Sequence, residues 1–249
     1  MIKHALSVLA RGRRAAGIAF WCVSCLGGGV ATSAESFFLG GTIPARDPQA
    51  SPSLIDLSPY YTAPLDNDWL VSAGVNLKAL PKGVQTLAGT SFDVRGIVQL
   101  ASSELLSLSV LSDQEKARQY PRAVKGIKVK LEAQRIHFLH ASAWGAGHGE
   151  RIGEYVVRYA DGQEQSIPLV YGRTHLDWWV KSPSDRPEGA EIAWHGSHSK
   201  SQVSLFKYTW TNPSPEKAIA TIDFVSAMGK AAPFLIAVTC EPLAAAPAR

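Results

Sequence analysis

From Arg135 to Trp179 apolar and polar positions alternate more regularly than elsewhere in the chain, and the pattern predicts a strand pair. In Glu154–Ala160, Tyr155, Val157 and Tyr159 share one face at the period of two that a strand imposes, while Glu154 and Arg158 share the other. Asp161-Gly162 follows. It is a strong hairpin signal, because both residues tolerate the positive φ of a tight turn. The return strand, Ser166 to Tyr171, sets Ile167, Leu169 and Tyr171 on one side and ends at Gly172. Pro168 has no N–H to offer a neighbour, so this strand lies at a sheet edge or carries a bulge.

Shorter runs of the same kind fill the chain. Leu54–Tyr61 reads as a first strand. Thr62–Lys78 reads as loop, with Trp69 as a plug. Gly83–Gly89 and Ser91–Leu100 read as two more strands, with Phe92 and Val94 inward and Gly96 marking a bulge that turns Ile97 inward as well. Ser102–Val124 is the least regular part, with a helical turn over Asp113–Arg118 ended by Pro121. Ile127, Val129 and Leu131 alternate with lysines. Glu191–Trp194 is a short strand closing at Gly196. Gln202–Trp210 turns Val203 and Leu205 one way, then Phe206, Tyr208 and Trp210 the other, which requires a bulge or burial on both faces. After a turn at Asn212–Pro215, Ile219–Val225 and Phe234–Cys240 are the last strands. The second is apolar on both faces and therefore central. About nine or ten short strands, with turn signals roughly every 8 to 15 residues, argue for an all-β antiparallel sandwich. Too few helices are available to cover a parallel sheet.

The ends of the chain change the charge argument. Residues 1–34 read as a signal peptide: Lys3, Arg11, Arg13 and Arg14 precede the apolar run Ala15–Val30, and Thr32-Ser33-Ala34 offers a cleavage site. Arg13-Arg14 partly resembles a twin-arginine signal with poorly fitting flanks, and Cys25 is a weak lipoprotein site. If the leader is kept, its apolar run is about the shortest that spans a bilayer, and that is the one expected contact with a membrane. The leader holds four of the 25 basic residues and no acidic one, so the remainder carries 21 of each sign. The basic balance thus belongs to the leader, and nothing points to nucleic acid. Of the three cysteines only Cys240 lies beyond the leader, in an apolar run, so no internal disulfide is expected despite an oxidising destination. The expected organisation is a signal peptide over 1–34, a linker or extended arm over 35–53, one sandwich domain over 54–241 and a disordered tail over 242–249. The expected location is the periplasm or the exterior.

Several short words carry a resemblance: His137-Phe138-Leu139-His140, Tyr159-Ala160-Asp161-Gly162, Ile167-Pro168-Leu169-Val170-Tyr171-Gly172, Asp177-Trp178-Trp179, Trp210-Thr211-Asn212-Pro213 and Ile222-Asp223-Phe224. Together, over roughly Leu54 to Glu241, they resemble the galactose-binding-like jelly-roll domains of exported bacterial proteins. The resemblance implies a jelly-roll sandwich that binds sugar or glycan through loops at one end, in some members with a structural calcium. The chain departs from an enzyme's appendage in carrying no catalytic domain.

Candidate chemistry centres on aromatic loops. An exposed indole face suits the C–H face of a pyranose, and polar neighbours suit its hydroxyls. Trp178 and Trp179, adjacent in an extended segment, should project to opposite faces, one core and one exposed, with Asp177 and Arg173 beside them. Trp144 stands before the Gly145–Gly149 loop that also holds His148. The candidate ligand-binding set is therefore Trp144, His148, Arg173, Asp177, Trp178 and Trp179. No metal site is assigned. His137 and His140 fall on opposite faces, His195 and His198 could converge only in a turn, and no zinc spacing is present. No cofactor is expected beyond that calcium, for which no Asp-rich loop is visible. A polysaccharide hydrolase would need two positioned carboxylates, for which Glu154, Asp161, Asp177 and Asp223 are candidates by location only. The partner is expected to be a glycan or a cell-envelope component. The main alternative is a structural or interaction module of the envelope with no small-molecule ligand.

Overall fold

Alternation of the kind seen at Tyr155, Val157 and Tyr159 marks several of the thirteen strands among the described residues: β1 (Ala63–Pro64), β2 (Gly83–Leu87), β3 (Thr90–Val94), β4 (Gly96–Gln99), β5 (Ala123–Leu131), β6 (Arg135–Ala143), β7 (Arg151–Tyr159), β8 (Glu164–Val170), β9 (Trp179–Val180), β10 (Ala190–His198), β11 (Ser201–Thr211), β12 (Ile219–Ser226) and β13 (Ala232–Glu241). A short helix, α1 (Ser103–Ser107), follows β4. The structure is a computed structural model that describes residues 42–70, 75–107, 120–182, 184–198 and 201–243. The leader, the helical turn expected at 113–118 and the tail from 244 lie outside the described residues. No helix among the described residues is long and apolar enough to cross a membrane.

One sheet runs β1-β4-β13-β6-β11-β10, with β9 also paired to β11; a second runs β5-β12-β7-β8; β2 and β3 form a hairpin of their own. Among the eight strands β4–β7 and β10–β13, the first pairs the eighth, the second the seventh and the third the sixth. That nesting is a long antiparallel hairpin wound over two sheets, the connectivity of a jelly roll. The fourth rung is replaced: β7 pairs with β8 and β12, while β10 joins β11 in the large sheet.

The core has two layers. Between the sheets, Phe138 of β6 stacks on Tyr155 of β7, ring centroids 4.0 Å apart and nearly parallel at 6°. Ile127, Leu169, Phe224 and Leu235 close around them. On the outer face of the large sheet a second apolar layer forms from Leu65, Trp69, Leu77 and Leu80, the β2–β3 hairpin through Phe92 and Val94, and Leu105 and Tyr120. The large sheet is thus covered on both sides. In β6 only Arg135 is exposed, and in β13 every residue but Glu241 is buried. Each fully buried Leu, Ile or Phe contributes roughly 1.5–3 kcal/mol against about 1 for a typical hydrogen bond, so the two apolar layers decide the architecture.

The Asp161-Gly162 hairpin forms as its residues dictate. Gly162 has φ +86°, its N–H donates to Tyr159 O at 3.1 Å, and Asp161 Oδ1 accepts the Gln163 N–H at 3.0 Å. β8 is an edge strand, where the missing N–H of Pro168 is harmless. Near Gly96 the chain changes partners, β3 pairing β2 and β4 pairing β13, while Tyr61 presses so closely that a Cβ at Gly96 would lie 2.7 Å from its ring.

Four expected elements differ. The single strand read over Ser91–Leu100 is two, β3 and β4, parted at Arg95 and paired to different neighbours. Leu54–Tyr61 is not a strand: Leu54 makes an isolated bridge to Thr239, and Ser58–Tyr60 is a 3-10 turn, favoured by Pro59 and by Asp56 Oδ1 accepting the Ser58 N–H at 3.0 Å. β10 does not close at Gly196 but continues to His198, because the Trp194 ring lies over Gly196 and fills the space a side chain would take. In β11 the inward–outward switch is met by burial on both faces, and the bulge falls on β10 between Ile192 and Trp194.

Among its described residues the arm is fastened by Ile43 packed on the core, by Pro44 O accepting from Arg95 at 3.4 Å and by Arg46. Arg46 donates to Asp93 Oδ2 at 3.1 Å and to the Leu54 carbonyl at 2.6 Å, and Asp93 in turn accepts from the buried Arg95 at 2.9 Å. At the opposite corner Asn212 does similar work: its Oδ1 accepts the Tyr159 hydroxyl at 2.6 Å, and its Nδ2 donates to Ala133 O at 2.8 Å. Asn212→Ala leaves both partners buried and unsatisfied. Urea unfolding should report a loss of about 2–4 kcal/mol, with Tyr159→Phe costing about 1.

Candidate functional site

Three loops meet at one end of the sandwich: 144–150 between β6 and β7, 171–178 between β8 and β9, and 181–189 between β9 and β10. Main-chain bonds sew them together. Gly149 N–H donates to Tyr171 O at 2.9 Å, Tyr171 N–H to Glu150 O at 2.9 Å, Glu188 N–H to Gly172 O at 2.9 Å and Gly189 N–H to Arg173 O at 2.8 Å. Gly172 has φ +84°, and the His148 ring lies against it so closely that a Cβ there would sit 2.2 Å from Cδ2.

The segment 176–180 enters the large sheet as a wedge. β6 and β11 pair as far as His140 and Phe206 and then part. Into the gap comes Trp178, whose N–H donates to Ser142 O at 2.9 Å and whose carbonyl accepts the Ser204 N–H at 2.8 Å. Beyond it β9 pairs Trp179 with Val203. The two indoles are not thrown to opposite faces, because the strand begins only at Trp179: their centroids lie 6.2 Å apart at 49°. Trp178 is 2% exposed and packs on Trp69 at 5.1 Å and Phe234 at 6.2 Å, whereas Trp179 is 43% exposed. An aromatic stack therefore runs from the core to the surface and braces the exposed indole of Trp179.

That indole forms a wall of a cleft of about 330 Å³. Tyr171, Leu176 and Val180 supply the remaining apolar lining, and Asp177, Lys181, Asp185 and Arg186 the polar lining. Asp185 Oδ2 holds the loop by accepting the Lys181 and Ser182 N–H groups at 3.1 and 2.9 Å. Asp177 Oδ1 accepts the Trp179 N–H at 3.1 Å. Burial pushes the Asp177 carboxyl up to about 6, with the Trp179 N–H and the positive charge of Lys230 pulling the other way. A second, more polar depression of about 610 Å³, bounded by Glu188, Glu191 and Ile192, shares Arg186 with the first.

Of the six residues singled out by sequence, Asp177 and Trp179 line the cleft. Trp178 does not meet solvent and acts as the brace behind Trp179. Trp144 has φ +61° and is half-buried on the core beside Gly145, whose Cβ would lie 3.0 Å from the Tyr171 hydroxyl; it stands behind the cleft rather than in it. His148 is exposed at the neighbouring rim, its Nε2 3.1 Å from Glu188 Oε1. Arg173 is exposed in the same turn, and the cleft's guanidinium is that of Arg186. Sequence reasoning passed over Tyr171, Lys181, Asp185 and Arg186. The signal available was Asp185, a side chain suited to gather backbone N–H groups in a turn.

Other candidates have structural work. Asp161 accepts from Lys217 at 2.7 Å. Asp223 is 3% exposed and accepts from Gly126 N at 2.8 Å and Arg158 Nη2 at 3.0 Å. Glu154 accepts from Ser166 at 2.6 Å. His137 bonds Thr209 at 2.9 Å, and His195 bonds Ser204 at 2.9 Å. Cys240 is buried, which pushes its thiol up to about 12. Among the described residues no three His, Cys, Asp or Glu converge in a way that could hold a metal ion. No family model matches the chain, and no curated protein matches it.

The loop that carries Asp177 also holds one ring of a buried imidazole pair. His140 and His175 are fully buried, with ring centroids 3.6 Å apart. His140 Nε2 donates to Thr174 O at 3.0 Å, so its Nδ1 accepts the Tyr155 hydroxyl at 3.0 Å. His175 Nδ1 meets Thr174 Oγ1 at 3.1 Å, and its Nε2 is buried with no hydrogen-bond partner among the described residues. Burial drives His140 down to about 3, and burial together with its neighbour drives His175 well below its ordinary value. Both native values lie below the unfolded value of about 6.5, so the unfolded chain takes up these protons first. Stability is therefore undiminished above that pH and is lost as pH falls toward 3, at about 1.4 kcal/mol per pH unit for each ring. Asp177, raised in the native state, offsets part of this as pH falls through about 6. Urea midpoints measured across this range should fall steeply, and His175→Leu should flatten the slope.

Proposed function

We propose that this protein is an exported, non-catalytic binding protein that recognises a carbohydrate, or another extracellular ligand with an apolar ring face, in the cleft beside Trp179. One observation carries the reading: the indole of Trp179 is 43% exposed, held in place by a buried indole, and opens onto a cleft with carboxyl, ammonium and guanidinium groups around it. A rigid aromatic face flanked by polar groups is what a pyranose requires, since its C–H face stacks while its hydroxyls hydrogen-bond. The nested strand pairing supports placing the domain with the galactose-binding-like jelly rolls, and the cleft's position in loops at one end of the sandwich accords with their mode of binding. The leader-like residues 1–34 and the balanced charge of the remainder support export to the periplasm or beyond.

A glycan array probed with the protein lacking residues 1–34 should give a defined set of hits. Trp179→Ala should lower the affinity for them by at least about tenfold, or about 1.4 kcal/mol, whereas Trp210→Ala should leave it unchanged once stability is allowed for. Binding indifferent to Trp179 would end this reading.

A second reading, an envelope interaction module without a small-molecule ligand, is supported by the packing of the other tryptophans. Trp69 and Trp178 are buried, and Trp144, Trp194 and Trp210 are half-buried against the core. Under the carbohydrate reading, a hit from the array should protect Trp179 from iodide quenching, an effect that Trp179→Phe should abolish. Under the second reading no sugar protects it.

A further inference from the structure

We propose that the cleft selects an anionic glycan, a saccharide bearing carboxylate or sulfate groups, and that Arg186 is the residue that selects the charge. This inference rests on the carbohydrate reading above. Its basis is an asymmetry of partners around the site. The acidic groups are already engaged. Asp185 holds the Lys181 and Ser182 N–H groups, Asp177 holds the Trp179 N–H, Glu188 faces His148, and Glu191 lies 3.0 Å from Lys207 Nζ. The basic groups are not. Among the described residues, the side chains of Arg173, Lys181 and Arg186 make no hydrogen bond or ion pair. Elsewhere Arg46, Arg95, Arg135, Arg151 and Arg158 each hold a carboxylate. Around the cleft the carboxylates thus have hydrogen-bond or ion-pair partners, while the exposed basic side chains have none among the described residues.

Arg186 has the right position as well as the right charge. It lines both the cleft at Trp179 and the depression that reaches Ile192, so a ligand longer than one ring passes its guanidinium on the way from one to the other. A guanidinium offers two parallel N–H donors, which match the paired oxygens of a carboxylate or sulfate. Asp177 adjusts the strength of selection. The groups acting on it are the Trp179 N–H, the Tyr171 hydroxyl, which accepts the Asp177 N–H at 3.4 Å, and the Lys230 ammonium. Lys181, Asp185 and Arg186 share the cleft with it. As its carboxyl takes up a proton near pH 6, the charge opposing a bound anion disappears.

The test is calorimetry on the full chain with three probes: an oligogalacturonate, a sulfated oligogalactan and the same oligogalactan uncharged. The expected result is that a charged probe binds at least about tenfold more tightly than the uncharged one. Whether galacturonate or sulfate leads identifies the anion. Arg186→Ala should remove that preference and Arg186→Lys should keep part of it; both side chains are exposed, so folding should be unaffected. Binding of the charged probe should strengthen about threefold from about pH 7.5 to about pH 5.5, and Asp177→Asn should remove this pH dependence. If the uncharged probe binds as tightly as the charged ones, or if Arg186→Ala keeps the preference, the charge selection is wrong and the carbohydrate reading stands. If no probe binds and the glycan array is blank as well, both fall.

Discussion

The structure depends on a sheet that is covered on both faces. β6 and β13 run through its centre, and neither face of either strand reaches water beyond the terminal Arg135 and Glu241. Such strands cannot alternate apolar with polar, so they read as continuous apolar runs. The same coverage forces each polar side chain they carry to find a partner inside. On β6 Ser142 answers Leu176 and His140 answers Tyr155 and Thr174, and on the neighbouring β4 Gln99 answers the Trp69 N–H and the carbonyl of Pro233. These bonds are few, but each one ties a covering layer or a loop to the sheet.

The candidate site is built from those ties. Ser142 accepts the Trp178 N–H, and Leu176 and Trp178 reach across the gap where β6 leaves β11. The wedge thereby continues the sheet outward, and the stack of Trp69, Trp178 and Trp179 continues the core along with it. A surface that grows from a core in this way is stiff, so under the proposed reading little ordering cost would be left to offset binding. The buried imidazole pair adds a different property. His175 keeps a nitrogen in the interior without a hydrogen-bond partner among the described residues, an unfavourable arrangement that the surrounding packing tolerates in the loop carrying Asp177.

Much of this was legible in the residues. The hairpin around Asp161-Gly162, the edge position of the strand holding Pro168, the double-faced burial of β11 and β13 and the buried Cys240 all follow from local pattern and turn chemistry. The second covering layer was not legible, because residues 65–80 have no period: they bury Leu65, Trp69, Leu77 and Leu80 from an irregular loop. Nor was the wedge, since adjacent tryptophans were read by strand geometry although the strand begins only at the second. At the site, Asp177 and Trp179 stood out by residue type, whereas Arg186 is an ordinary surface arginine until topology sets it between two depressions. Arg173, closer in sequence to the tryptophans, points to the difficulty: loops converge in space by hydrogen bonds that spacing does not encode.

The place of the final strand has a consequence for how the molecule is made. β13, residues 232–241, separates β4 from β6 in the large sheet. No earlier segment can stand in for it, so the sheet cannot close until nearly the whole chain has been synthesised. Contacts this distant along the polymer form slowly. A nascent chain that must wait for β13 keeps the large sheet open in the meantime, and the sheet closes only when its spine arrives.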